Sequence, residues 1–332
     1  MPNQDIILPT GSELAKLLEL HPTEDVAAAL EKTLLEPLGI FLEQTGKRFR
    51  ARLLECSFNA CLPEGEDVPL GLCAHGALIV ESIHAASIII DDIEDGSTER
   101  RGKATFHREV GIPVALNAGN WLYFWPLEKL HDWRLPPNTE LKVYRQCMRA
   151  IVQAHCGQAM DVGIPIHSIP QSQVRDTTLA ALEFKTGALM GLASSLGATL
   201  ARGSHEQVEK WRIFGQRFGI ALQMFDDIGN LVSRRLGEKQ YEDLRLRRPS
   251  WIWACAAQLP QASYAKFLEA VEKLPHTEAL TRWVEEQGLV ESAVEQAHAY
   301  LDACLADIQE HLPPASFSWL EETAEKLKVA YA

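Results

Sequence analysis

Two acidic clusters carry the clearest chemical signal in this chain. In the segment from Ile83 to Gly96, an apolar run ends in Asp91, Asp92, Glu94 and Asp95. A helix places Asp91 and Asp95 on one face, because residues four apart are neighbours there. Like charges at that spacing repel by roughly a few tenths of a kcal/mol, and the helix C-terminus already carries partial negative charge. A cation must therefore compensate. One reading is a solvated acidic helix end screened by Arg100, Arg101 and Lys103. The other is Mg²⁺, which takes one or two carboxylates and fills its shell with water and phosphate oxygens.

The second cluster, Phe218 to Asn230, is again apolar and helical and again ends in paired carboxylates. Gln223, Asp226, Asp227 and Asn230 can share one face. Two such helices in a bundle would present carboxylates from both sides of a cavity, a common way of building a metal site. Four basic groups accompany them: Gly46 to Arg50, Arg100 to Lys103, Lys185-Thr186, and Lys239 with Arg245, Arg247 and Arg248. Singly each reads as a solvated face. Together with the acidic clusters they suggest two polyanions bound side by side, one through metal and one by Arg and Lys directly.

The elements that must position these residues read as helices. Apolar residues recur at three- and four-residue spacing, as in Val26, Leu30, Leu34, Leu38 and Phe41, or Leu289, Ala293, Ala297, Leu301 and Leu305. Short polar or proline-bearing breaks divide the chain into roughly a dozen helices. Period-two alternation is nearly absent, so the spacing predicts no sheet of consequence. With no long linker, the 332 residues are expected to form a single all-α domain, residues 1–332.

Composition narrows the function classes. Hydrophobic residues make up 46% and charged residues 23%, which excludes a disordered or collagen-like chain. A net charge of -13 argues against nucleic acid as a partner. The apolar stretch Gly71 to Ile90 is broken by His75, Glu81 and His84, so a buried core helix is expected in place of a membrane span. The seven cysteines form no CxxC pair, and the first thirty residues lack a basic start followed by an apolar run, so a cytoplasmic protein with reduced thiols is expected. His155-Cys156 and Cys73 near His75 lack zinc spacings, and no GxSxG, phosphate-loop or dinucleotide fingerprint is present.

In order along the chain, these segments resemble the trans-isoprenyl diphosphate synthases, also called polyprenyl synthetases. Gly46-Lys47-Arg48-Phe49-Arg50 is similar to that family's GKRxR segment, His84 through Asp95 to its first aspartate-rich motif, and Arg100-Arg101-Gly102 through His107 to its RRGxxxxH. Gly157-Gln158 with Asp161, Lys185-Thr186, and Gln223 through Asn230 resemble the later signatures. The resemblance implies an all-helical isoprenoid synthase fold around a central cavity, a homodimer, and the joining of an allylic diphosphate to isopentenyl diphosphate.

It further implies that Asp91 and Asp95, with Asp226 and Asn230 opposite, hold Mg²⁺ on the allylic diphosphate, and that Arg100, Lys185 and Lys239 contact its phosphates. Lys47, Arg50, His84 and Arg101 would hold isopentenyl diphosphate, Thr186 and Gln223 would line the reacting region, and Arg248 would replace a usual lysine. Asn230 and Glu238 also depart from the pattern, at a usual aspartate and a usual glycine. In that family the residues just before the first motif shape the tunnel for the growing chain, so the resemblance implies that the small Ala86 and Ser87 would leave it open past fifteen carbons, whereas bulk such as Phe124 could close it lower down; the balance favours a geranylgeranyl-type product. Two alternatives start from the same residues: a cyclase or lyase that never condenses isopentenyl diphosphate, and a non-catalytic subunit of a heteromeric synthase.

Overall fold

The computed structural model of the chain describes residues 6, 8–17, 23–43, 48–63, 68–69, 71–232, 240–310 and 314–330. These residues are helical nearly throughout, as the apolar spacing predicts. The helices used below are α1 (Phe49–Cys61), α2 (Gly71–Glu94), α3 (Ile112–Glu128), α4 (Pro137–Gly163), α5 (Gln171–Leu182), α6 (Ala188–Leu200), α7 (His205–Val232), α8 (Trp251–Ala256) and α9 (Leu289–Gln309). Among the described residues the strands are one antiparallel pair, β1 (Glu99–Arg100) and β2 (Lys103–Ala104).

The chain divides into two compact units, Met1–Glu55 with Asp67–Tyr144, and Cys56–Glu66 with Arg145–Ala332. In the first, α2 is the central helix and packs on α3. It buries Cys73, Gly76, Ile79, Val80, Ile83, Ala86 and Ile89, a stripe at three- and four-residue spacing. By length and composition α2 could cross a membrane, with a mean hydropathy of 1.6, but half of that window is buried inside the chain. The β1–β2 hairpin follows directly, turning through Arg101 and Gly102 at φ of 54° and 80°. Two positive φ values match the type I′ geometry that suits a two-residue hairpin, and arginine adopts it rarely.

In the second unit α6 is buried at every position from Ala188 to Leu200, the pattern of a helix enclosed on all sides. Its main partner is α7, which buries Trp211, Phe214, Phe218, Phe225 and Ile228 along one stripe. The two backbones approach so closely at Gly215 that a Cβ there would lie 2.5 Å from the Met190 carbonyl oxygen. Ser194, buried in this seam, donates its hydroxyl to the Trp211 carbonyl oxygen at 2.7 Å, so its polar atom is satisfied. The short α8 is buried throughout and is tied to α9 by Trp251 Nε1, which donates to the Ala293 carbonyl oxygen at 3.1 Å.

Candidate functional site

In the first unit α2 delivers the acidic cluster at its last turn, and its adjacent aspartates Asp91 and Asp92 have separate fates. Asp92 points inward: it is 1% exposed and accepts from Arg100 Nε through both oxygens, at 3.0 and 2.9 Å. Asp91 is half-buried, with Arg100 Nη2 at 3.6 Å. Burial works against the Arg100 charge, but the hydrogen bond and charge of Asp92, with Asp91 and Asp95, outweigh it and hold the guanidinium protonated. Arg100 is thus a bridge between the hairpin and the acidic helix end. Tyr123 of α3 lies near the same end; burial first, then Glu94 and Asp91, push its phenol up.

Two turns earlier on α2 stands His84. Its Nδ1 is buried without a hydrogen-bond partner among the described residues. Burial chiefly, and then Arg50, Arg100 and Arg101, hold the imidazole well below the usual histidine range. The site therefore offers a neutral imidazole among three guanidiniums, with an orphaned polar atom, a combination that suits a polyanion. Because unfolded histidine titrates near 6.5, the unfolded chain takes up this proton before the folded one does. Stability linked to His84 is complete above that pH and is lost as the pH falls below it. His84→Gln should flatten the decline of Tm between about pH 6.5 and pH 5; melting curves with the wild-type slope would contradict this.

Asp91 and Asp95 fit Mg²⁺ by donor type, hard carboxylate oxygens one helical turn apart. Among the described residues no group of three or more His, Cys, Asp or Glu side chains is gathered as a metal cage.

In the second unit the helical run from α5 into α6 is interrupted by a π turn, Glu183–Gly187, which carries Lys185 and Thr186. Such turns widen a helix locally and recur at functional sites. The turn packs closely against α4: a Cβ at Gly157 would lie 2.3 Å from the Lys185 backbone nitrogen. From α4, Asp161 then accepts from Lys185 Nζ at 2.7 Å, and Arg248 Nη1 lies 3.4 Å from the same oxygen. Two cations converge on one carboxylate. The backbone before Arg248 is left-handed at Arg247, with φ of 59°.

A polar chain runs beside this cluster. Thr186 Oγ1 donates to Gln223 Oε1 at 2.9 Å, Gln223 Nε2 donates to Asp227 Oδ1 at 2.9 Å, and the Trp251 backbone N–H donates to Asp227 Oδ2 at 2.6 Å. Asp227 is buried, and burial, then Asp243 and Asp226, push its carboxyl well up, against the pull of Gln223 and Trp251. Of the paired carboxylates, Asp226 is the exposed one and Asp227 holds α8 to α7.

The geometry therefore gathers Arg50, His84, Arg100 and Arg101 with Asp91 and Asp95 in the first unit, and in the second it sets Lys185 and Arg248 on Asp161 and links Thr186, Gln223 and Asp227, with Asp226 and Asn230 on the same helix as Gln223. Lys47 and Lys239 lie outside the described residues. Ala86 is fully buried, and Ser87 turns its hydroxyl back to the His84 carbonyl oxygen at 2.8 Å. Phe124 is 59% exposed, while its neighbours Tyr123 and Trp125 are buried.

A family model described as polyprenyl synthetase matches residues 31–286. The chain belongs to the polyprenyl synthetase family. A geranylgeranyl pyrophosphate synthase of Geoglobus acetivorans is 28% identical over 304 residues, 88% of this chain and 91% of that one. A protein of the same name from Rhodocybe pseudopiperita is 33% identical over 210 residues, which span 61% of this chain and 57% of that relative's length. Among solved structures, geranylgeranyl pyrophosphate synthetase from Pyrococcus horikoshii superposes with a TM-score of 0.76 at 24% identity, covering 96% of this chain and 94% of that one. Polyprenyl synthase from Caulobacter crescentus does so with a TM-score of 0.72 at 22% identity, covering the whole of both chains. Both structures share the all-α isoprenoid synthase fold with this polyprenyl synthetase.

Proposed function

We propose that this polyprenyl synthetase condenses an allylic diphosphate with isopentenyl diphosphate, releasing pyrophosphate and a longer trans-prenyl diphosphate of geranylgeranyl type. The observation that carries the reading is the orphaned Nδ1 of His84 among Arg50, Arg100 and Arg101, in the same unit as Asp91 and Asp95. A lyase that acts on one diphosphate has no use for a second anion pocket. The names of the relatives above support the same product class.

Asp91 and Asp95 in the first unit, and Asp226 with Asn230 in the second, are the residues that would hold Mg²⁺. When bound, the ion neutralises charge that grows on departing pyrophosphate. Lys185 and Arg248 sit on Asp161 in this structure, and a phosphate oxygen can take the carboxylate's place between them. Lys239 is assigned to the same task by the family resemblance. Arg50, Arg101 and neutral His84, with Lys47, hold isopentenyl diphosphate through charge-assisted hydrogen bonds. Thr186 and Gln223, which the family resemblance assigns to the reacting region, are held in place by the bond to Asp227, which supports a preorganised polar wall there.

The small Ala86 and the inward-bonded Ser87 support a tunnel that admits chains beyond fifteen carbons. Phe124 is too exposed within the chain to serve as a plug there. A homodimer is supported by the exposed apolar stripe Leu141, Tyr144, Met148 and Val152 along α4, which a second copy would cover. The cysteines among these residues are all free and mostly buried, which supports a cytoplasmic setting.

The test is incubation with Mg²⁺, labelled isopentenyl diphosphate and, separately, five-, ten- and fifteen-carbon allylic diphosphates. A twenty-carbon product from each accepted primer is expected; label that stays in isopentenyl diphosphate with every primer would refute the reading.

A further inference from the structure

Glu81 lies on α2 one turn before His84 and has no part in the assignments above. Its Oε1 accepts from the backbone N–H of Ala51 at 3.1 Å, across thirty residues of sequence. Ala51 is the third residue of α1, in the first turn, where backbone N–H groups lack a carbonyl partner within the helix. The next donor, Arg52 N–H, already bonds to the Arg48 carbonyl oxygen at 3.1 Å. Glu81 is therefore a side-chain cap supplied from another helix, and its negative charge also suits the helix N-terminus.

What this cap restrains is the basic segment. The chain enters α1 through Arg48 at φ of 49°, a left-handed conformation that arginine adopts only when its surroundings hold it there. Arg50 stands between Arg48 and Ala51, and its guanidinium is one of the three charges that act on His84. Glu81 and His84, one turn apart on α2, thus meet α1 at two levels, one through backbone and one through the Arg50 charge.

We propose that Glu81 is a positioning residue for the isopentenyl diphosphate subsite: by capping Ala51 N–H it holds the first turn of α1, and so Arg50, against His84. The assignment rests on the proposed reaction. It adds a requirement for a hydrogen-bond acceptor at position 81, independent of charge.

The test compares E81M, which keeps length and loses the acceptor, with E81Q, which keeps the acceptor and loses the charge. E81M should raise KM for isopentenyl diphosphate about tenfold, the size expected for a lost helix cap, with kcat and the allylic KM within about twofold of wild type. E81Q should restore KM to within about twofold of wild type. An unchanged KM in E81M, an E81Q as impaired as E81M, or an equal loss in kcat and both KM values would overturn the proposal. Calorimetric titration of isopentenyl diphosphate without primer reads the same comparison without catalysis, with E81A as the acceptor-less variant if E81M does not fold: a tenfold loss of affinity in the acceptor-less variant with wild-type affinity in E81Q upholds the proposal, and wild-type affinity in the acceptor-less variant or a tenfold loss in E81Q overturns it. Wild-type protein that binds isopentenyl diphosphate but forms no product would sink the proposed reaction while leaving the Glu81 comparison readable.

Discussion

Asp91→Ala should lower kcat for condensation by about a hundredfold or more while leaving the fold nearly as stable as before, because the residue is a half-exposed candidate metal ligand with little role in packing. Its neighbour should behave in the opposite way. Asp92 is buried against Arg100 with both oxygens engaged, so Asp92→Ala removes the closest partner of a largely enclosed guanidinium and leaves it the more distant Asp91. Breaking a buried pair by removing one partner costs about 3–5 kcal/mol, and the third of Arg100 that remains exposed reduces this to about 2–3 kcal/mol. Steady-state kinetics and thermal melts on the two variants separate the roles: activity lost at Asp91 and Tm lost at Asp92. If Asp91→Ala turned over normally, the metal assignment would fail. If Asp92→Ala melted like wild type, the Arg100 bridge would not matter.

The second large effect is at Gly157. A methyl group there would sit 2.3 Å from the Lys185 nitrogen and 2.6 Å from the Phe184 carbonyl carbon, both of them backbone atoms that cannot swing aside. Gly157→Ala must push the π turn away from α4, at a cost of about 3 kcal/mol in overpacking. The turn carries Lys185 and Thr186, so the same displacement opens the Lys185–Asp161 pair and the Thr186–Gln223 bond. Both Tm and kcat should fall. Gly163→Ala, on the same helix with nothing within 4 Å, is the control and should leave both unchanged. A Gly157→Ala enzyme with wild-type Tm and turnover would show that the π turn is not held by this contact.

The comparison of Asp91 with Asp92 also marks how far the sequence could be read. The cluster and its helix were legible because an apolar period of three and four ran straight into four carboxylates, a self-repelling arrangement that demands a cation. Which aspartate turned inward was not legible, because adjacent residues on a helix differ by about 100° and only the position of Arg100 on its hairpin decides between them. The all-α fold followed from periodicity, and the basic segments around Arg50, Arg101, Lys185 and Arg248 followed from residue type. The π turn did not, since Leu182 to Ala188 reads as continuous helix and the contact it makes with Gly157 comes from a helix twenty-odd residues earlier. Asp227 was legible as a carboxylate beside Asp226, but its bond to the Trp251 N–H depends on where α8 begins in space. The sequence reads Phe124 as tunnel bulk; its exposure depends on the rotation of α3, which the dense aromatics around it leave undetermined.

The measurement that bears most directly on the central claim is pyrophosphate release from an allylic diphosphate, followed with and without isopentenyl diphosphate in the presence of Mg²⁺. An elongating synthase with an anion pocket built around His84 should release pyrophosphate in step with incorporated label, and only slowly when isopentenyl diphosphate is withheld. Release at the full rate without isopentenyl diphosphate would contradict the account and identify a lyase or cyclase, and no release under either condition would identify a subunit without catalysis of its own.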